Sequence, residues 1–329
     1  MLTQRGARRI NSMSRPEMNK VIITGGTGFI GRSLTELLLK AGYDVVCLTR
    51  TMEKAWRILN PRIRPVLWDG RSADGWLKEA DGAYGIINLA GSSIGGQRWS
   101  RSVRERIVKS RVNAGGAVAE AVNLAKHKPE VIIQASAIGY YPHKEDQLLT
   151  EESRTGKGFL SWVCRKWEDS VREAASGVRH VIVRTGLVLG DGGLLDRMVI
   201  PIRLYIGGPL GSGSQWMSWI HLQDECRAIL FLLENRLEGV FNLTAPRPVR
   251  NKEFCRTLAK VLNRPCWLPV PSPALKLLFG RMAEEAILSS QRVASQRLKE
   301  GGFSFRFPEL GPALFDIYGQ KTGESSGST

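Results

Sequence analysis

The segment Thr24-Gly25-Gly26-Thr27-Gly28-Phe29-Ile30-Gly31 carries the spacing G-x-G-x-x-G at Gly26, Gly28 and Gly31. Glycines so spaced let a chain turn tightly and bring its backbone close to a pyrophosphate. A helix that starts there adds unpaired N–H groups and the positive end of its dipole. The run Lys20–Thr24 ahead of the motif is short, apolar and β-rich. After Gly28, apolar residues recur at helical spacing through Ile30, Leu34, Leu37 and Leu38. Strand, glycine loop and helix in that order are the context a dinucleotide loop requires. The competing reading is a plain turn that packs a helix closely on a strand.

The strand that follows, Asp44–Thr49, ends at Arg50. An acidic residue at this place bonds a ribose 2′-hydroxyl, whereas an arginine accommodates a 2′-phosphate and forks onto its oxygens. Thr49 and Arg50 therefore point to NADP(H) rather than NAD(H); the alternative is a solvated surface arginine. Asp69, after a third strand at Pro65–Trp68, is placed to accept from an adenine amino group. Asn88-Leu89-Ala90-Gly91, at the end of a fourth strand, would line the nucleotide with backbone and small side chains.

These residues need a scaffold that brings strand ends together. Further apolar runs at Glu130–Ser136 and His180–Arg184 read as a fifth and a sixth strand. Helices are expected at about Ser102–Lys126 and Phe159–Ala175. The strands are continuous apolar runs rather than alternating ones, the pattern of a parallel sheet covered on both faces. The expected fold class is α/β: a Rossmann-type doubly wound parallel sheet with a smaller α+β substrate lobe at the C-terminal side. The organisation read from the chain begins with a basic extension at 1–19. A nucleotide-binding domain follows at 20–190, with its last sheet elements drawn from 215–245. A substrate lobe occupies 191–318, and a Gly/Ser/Thr tail 319–329.

Composition narrows the function. The 329 residues are 43% hydrophobic, enough to bury a substantial core. Lys and Arg total 47 against 31 Asp and Glu, a net charge of +16. Such an excess suits nucleic acid, a membrane surface or an anionic small molecule. Five cysteines without C-x-x-C spacing and four scattered histidines argue against disulfides and against a metal site. A reducing compartment is expected: the cytoplasm, or mitochondria if the chain is eukaryotic. No apolar run is long enough to span a bilayer. The Arg-rich start has no apolar stretch of a secretory signal; it reads as an extension before Met13 or Met18, with a mitochondrial presequence as the alternative.

The T-G-G-T-G-F-I-G loop, Arg50, Trp68-Asp69 and Asn88-Leu-Ala-Gly91 resemble the extended short-chain dehydrogenase/reductases. Ser136-Ala-Ile-Gly-Tyr-Tyr141, Phe159-Leu160, Cys164, Trp167-Glu168, Arg184-Thr-Gly-Leu-Val-Leu-Gly190, Gly207–Gly213, Gln215-Trp216 and Trp219-Ile-His221 with Asp224 narrow the resemblance. It is to the atypical "epimerase family protein" group, related to nucleotide-sugar epimerases, and it runs from Val21 to about Tyr318. The resemblance implies NADP binding, Val188 and Arg111 near the cofactor, and a characteristic small C-terminal domain at 271–318.

Relatives place a Ser after the fifth strand and Tyr-x-x-x-Lys on the next helix. The Tyr moves a proton, the Lys lowers the Tyr pKa, and the Ser polarises a carbonyl. Here Leu160 stands at the Tyr position and Cys164 at the Lys position, so Tyr-x-x-x-Lys is absent from that helix. Ser136 and Tyr140 are the candidate catalytic residues, although anchoring on Tyr141 puts Ala137 in the Ser place. Arg98–Arg111 holds six basic residues against Glu105, aimed at cofactor or substrate phosphate in one reading and at solvent in the other. The expected function is an NADP(H)-dependent oxidoreductase or epimerase-like enzyme for a small polar, in one reading anionic, substrate, with no membrane or nucleic-acid partner. The alternative is a non-catalytic NADP(H)-binding regulatory protein.

Overall fold

The apolar runs read as strands lie side by side in one parallel sheet. The computed structural model describes residues 19–95, 97–174 and 176–319; the expected basic extension through residue 18 and the tail from residue 320 lie outside the described residues. The sheet strands are β1 (Lys20–Thr24), β2 (Asp44–Thr49), β3 (Arg64–Leu67), β4 (Gly85–Asn88), β5 (Val131–Ala137), β6 (Arg179–Thr185) and β7 (Gly239–Leu243). Their order is β7-β6-β5-β4-β1-β2-β3. All neighbours run parallel. The direction of winding reverses between β1 and β4, where open α/β sheets leave a crevice beyond the strand ends.

Two helical layers cover the sheet. Helix α1 (Phe29–Lys40) packs on one face, and α2 (Arg101–Leu124) and α3 (Phe159–Asp169) on the other. Beyond β6, α4 (Gly193–Arg203) leads into the second lobe, and α5 (Leu222–Glu234) returns to the α1 side of the sheet. Odd and even strand residues feed different cores. Val21 and Ile23 pack with Leu34 and Leu38 of α1 and Ile229 and Leu232 of α5. Ile22, Ile86 and Ile132 pack with Ala114, Val118 and Val122 of α2. This is the period-2 alternation of a strand buried on both sides.

Helix α2 starts where Ser100 Oγ accepts from Val103 N–H at 3.2 Å. Helix α3 ends at Asp169, short of the Ala175 expected from its apolar pattern. Ser170 turns its hydroxyl back onto the Trp167 carbonyl at 2.6 Å and lies tightly against Gly115 of α2. The second lobe has its own core around Leu195, Trp219, Phe254, Leu258 and Leu314. Short strand pairs join it to the main body. Leu187–Leu189 runs beside Trp219–His221, and Leu148-Leu149 pairs with Arg292-Val293. Among the described residues no helix is long and apolar enough to cross a membrane, and no His/Cys/Asp/Glu group could hold a metal ion.

Candidate functional site

The strand ends form a ledge. Thr24 lies opposite Leu48 and Asn88, Asn88 opposite Gln134, and Ala137 opposite Thr185. The glycine loop sits on this ledge. Gly25 has φ +71, and a Cβ there would stand 2.9 Å from the Leu89 carbonyl carbon. A Cβ on Gly26 would meet the Cys47 sulfur, and one on Gly31 would lie 2.6 Å from Gly26 Cα. Side chains at these positions would push α1 off the loop. Gly28 is the N-cap of α1 and provides no side-chain cap. The first bond into the helix is Arg32 N–H to the Gly28 carbonyl at 3.1 Å. The amides of Phe29, Ile30 and Gly31 precede it and have no intrahelical acceptor. A helix start with no acidic residue in its first turn and a backbone open to close approach suits a phosphate.

The other expected cofactor residues divide into exposed groups and braces. Arg50 is exposed beyond β2, its stem beside Gly70. Asp69 Oδ1 accepts from Arg71 N–H at 2.7 Å and Ser72 N–H at 3.1 Å. These bonds, the Arg71 amide first, hold its carboxyl below the usual carboxylate range. They leave Oδ2 as the freer edge, with only Ser72 Oγ at 3.3 Å. Thr49 Oγ1 is tied to Thr51. Thr27 and Ile30 are half-buried. Phe29 is boxed by Gly190, Gly192 and Gly193, which links the loop to the start of α4. Val188 packs on the edge of the α1-side core.

The Asn88 side chain is fully buried and turned inward. It receives Thr24 Oγ1–H at 2.5 Å and donates to Gln134 Oε1 at 2.8 Å. Leu89 and Ala90, which follow it, are half-buried, and Ala90 N–H donates to Thr24 Oγ1 at 3.1 Å. Arg111 reaches the same loop from α2, donating to Ser92 O at 3.1 Å and Ile107 O at 3.0 Å. Its guanidinium presses on Gly91 and lies 4.7 Å from the Trp167 ring centre. Its Nε is buried without a partner among the described residues. Burial pushes its pKa down to about 10. A buried donor without an acceptor beside a glycine is costly unless something else satisfies it. Open first-turn amides, a cradle that a Cβ would fill and this orphaned donor together fit a dinucleotide phosphate.

The other side of the ledge is different, and the reading of Ser136 as a free catalytic hydroxyl is revised. Ser136 Oγ donates to Glu168 Oε1 at 2.6 Å. Glu168 forms a bidentate pair with Arg184, Nε to Oε1 at 2.8 Å and Nη2 to Oε2 at 2.9 Å. Arg184 Nη1 donates to the Tyr141 hydroxyl, which donates to Asn242 Oδ1 at 2.7 Å. Burial opposes the charge on Arg184, but Glu168 holds its pKa above the ordinary value. Burial pushes Tyr141 up to about 12. Ser136 faces the α3 side because its strand neighbours Ala135 and Ala137 face the other. Ala137 ends β5.

Cys164 is buried, its sulfur 3.6 Å from Ala137 O, and burial pushes its thiol up to about 11. Burial thus favours the thiol over the thiolate. Tyr140 is half-buried, with the Arg184 guanidinium 3.4 Å from its ring centre and Tyr141 edge-on at 5.4 Å. His221 caps α5, its Nδ1 accepting from Gln223 N–H at 3.2 Å. Sequence reasoning missed Glu285 and Gln291, which reach this side of the ledge from the C-terminal segment.

Residues 21–244 match the NAD dependent epimerase/dehydratase family. The chain belongs to that family. Residues 270–317 match a domain of unknown function, DUF1731. This epimerase-family chain is 39% identical over 307 residues to the epimerase family protein SDR39U1 homolog, chloroplastic, of Arabidopsis thaliana, covering 92% of this chain and 88% of that protein. It is 35% identical to the epimerase family protein SDR39U1 of Homo sapiens, covering 91% of this chain and 99% of that one. The crystal structure of the human protein, isoform 2 with NADPH, superimposes with a TM-score of 0.82 at 32% identity, covering 91% of this chain and 99% of that chain. The fold is the NAD(P)-binding fold of this family.

Proposed function

We propose that this chain is an NADP(H)-dependent oxidoreductase or epimerase-like enzyme acting on a small polar substrate beneath its C-terminal lobe. The observation that carries the reading is the uncapped start of α1 inside the glycine cradle, with Arg50 exposed at the end of β2. Bound there, NADP(H) would supply hydride transfer. The first-turn amides would hold its pyrophosphate, Arg50 its 2′-phosphate, and Arg111 would brace the Gly91–Ser92 loop beside it. The relative crystallised with NADPH supports this choice of cofactor. Tyr140 is the phenol left near the ledge, held in place by the Arg184 guanidinium against its ring.

A second reading is a non-catalytic NADP(H)-binding protein. It is favoured by one observation: Ser136 and Cys164 are both turned into internal hydrogen bonds. One experiment separates the two. Protein and NADPH are mixed with a panel of small carbonyl compounds, and loss of the reduced-nicotinamide absorbance is followed. The enzyme reading expects turnover, reduced at least about tenfold by Tyr140→Phe with NADPH binding retained. Binding without turnover across the panel favours the non-catalytic reading.

A further inference from the structure

Helix α3 begins at Gly158, which provides no side-chain cap. Its cap arrives from 125 residues away: Glu285 Oε2 accepts from Leu160 N–H at 3.0 Å. A Cβ on Gly158 would stand 2.8 Å from that oxygen, so the carboxylate sits where a side chain at Gly158 would displace it. Glu285 lies on a π-helical turn, Ala283–Ile287, a wide turn that proteins often place at functional sites. It is half-exposed and makes no ion pair among the described residues, whereas its neighbour Glu284 pairs with Lys276 at 2.9 Å. Six residues on, Gln291 Nε2 donates to Ile138 O at 3.1 Å and Tyr141 O at 2.8 Å. The C-terminal segment therefore holds both the Tyr140 turn and the start of α3.

Position on the ledge gives this carboxylate its meaning. In a parallel α/β sheet the helices run back against the strands, so α3 begins at the same edge as the glycine cradle. A dinucleotide with its pyrophosphate on α1 and its 2′-phosphate toward Arg50 must extend its other half over β4, β5 and β6. On that side Ser136 and Glu168 are bonded inward. Glu285, at the backbone of Leu160, is a carboxylate that stays half-exposed. We propose that Glu285 faces the nicotinamide half of the cofactor and sets the preference between its oxidised and reduced forms. The proposal rests on the NADP(H) reading above. The oxidised ring carries a positive charge and the reduced ring none, so a carboxylate beside it favours the oxidised form.

Wild-type protein and the variants Glu285→Gln, Glu285→Ala and Glu284→Gln are titrated with NADP+ and with NADPH by calorimetry. Glu285→Gln keeps an oxygen that accepts from Leu160 N–H and removes only the charge. Its NADP+ affinity should fall about 3–10-fold relative to NADPH, the size expected of one charge at partly solvated range. Glu285→Ala should show the same change of ratio, with a general weakening from the lost cap. Glu284→Gln should leave the ratio unchanged. An unchanged ratio in Glu285→Gln overturns the proposal and leaves a helix cap. Wild-type protein that binds neither nucleotide overturns the cofactor reading itself, and this proposal with it.

Discussion

The two sides of the ledge are built on opposite principles. Around β1, β2 and β4 the polar groups that face outward are backbone amides, with Arg50 exposed at the margin. Around β5 and β6 the polar side chains bond one another: Ser136 to Glu168, Glu168 to Arg184, Arg184 to Tyr141, and Tyr141 to Asn242. The first side is left unsatisfied in a way that a phosphate would complete. On the second, Ser136, Glu168, Arg184 and Tyr141 satisfy one another. The difference teaches that the same sheet edge can present open backbone donors at one end and an internally bonded side-chain network at the other.

If that contrast holds, substitutions on the two sides should fail differently. The largest effect is expected on the closed side. Glu168→Gln leaves a buried arginine without its anion, and breaking such a pair costs about 3–5 kcal/mol, read as a lower urea midpoint at unchanged slope. On the open side, Gly31→Val should reduce NADPH affinity at least about 100-fold, roughly 2.7 kcal/mol, because its side chain collides with the Gly25–Gly26 backbone.

Glu225 of α5 extends the closed side into pH dependence. Its carboxyl is fully buried, accepts from Thr185 Oγ1 at 2.7 Å, and has its second oxygen unpartnered among the described residues. Burial raises its pKa to about 8 from 4.5. The folded chain therefore keeps a proton that the unfolded chain releases above pH 4.5. The contribution of Glu225 to stability falls as pH rises through this window and levels off above about 8. The slope is at most about 1.4 kcal/mol per pH unit. Glu225→Gln should flatten that part of the stability profile; an unchanged slope would assign the dependence elsewhere. The smallest effect is expected from Ser136→Ala: about 1–2 kcal/mol from the carboxylate bond it removes, with NADPH affinity unchanged. A large drop in NADPH affinity would return Ser136 to the ligand side.

The open side was the more legible from sequence. A glycine loop is a local feature: its spacing, the strand before it and the helix after it lie within about twenty residues, and short-range sterics decide the geometry. The strand runs were legible for the same reason, since continuous apolar residues announce a strand covered on both faces. The closed side depends on distant partners. Whether Ser136 faces a ligand or Glu168 follows from the register at the end of β5 and from where α3 packs, and a single sequence encodes neither visibly. Strand β7 joins the sheet only after the chain has passed through the second lobe. Glu285 had no local signal at all: Met-Ala-Glu-Glu reads as an ordinary solvated helix, and only the folded chain brings it to Leu160.

The central claim is that the open side of the ledge holds NADP(H) by its 2′-phosphate. Its most direct test is calorimetric titration of wild-type protein and Arg50→Ala with NADPH and with NADH. Wild-type protein should bind NADPH the more tightly, at least about tenfold, or 1.4 kcal/mol. Arg50→Ala should lose most of that difference while leaving NADH affinity nearly unchanged. Equal affinities for the two nucleotides in the wild type, or an intact preference in Arg50→Ala, would contradict it.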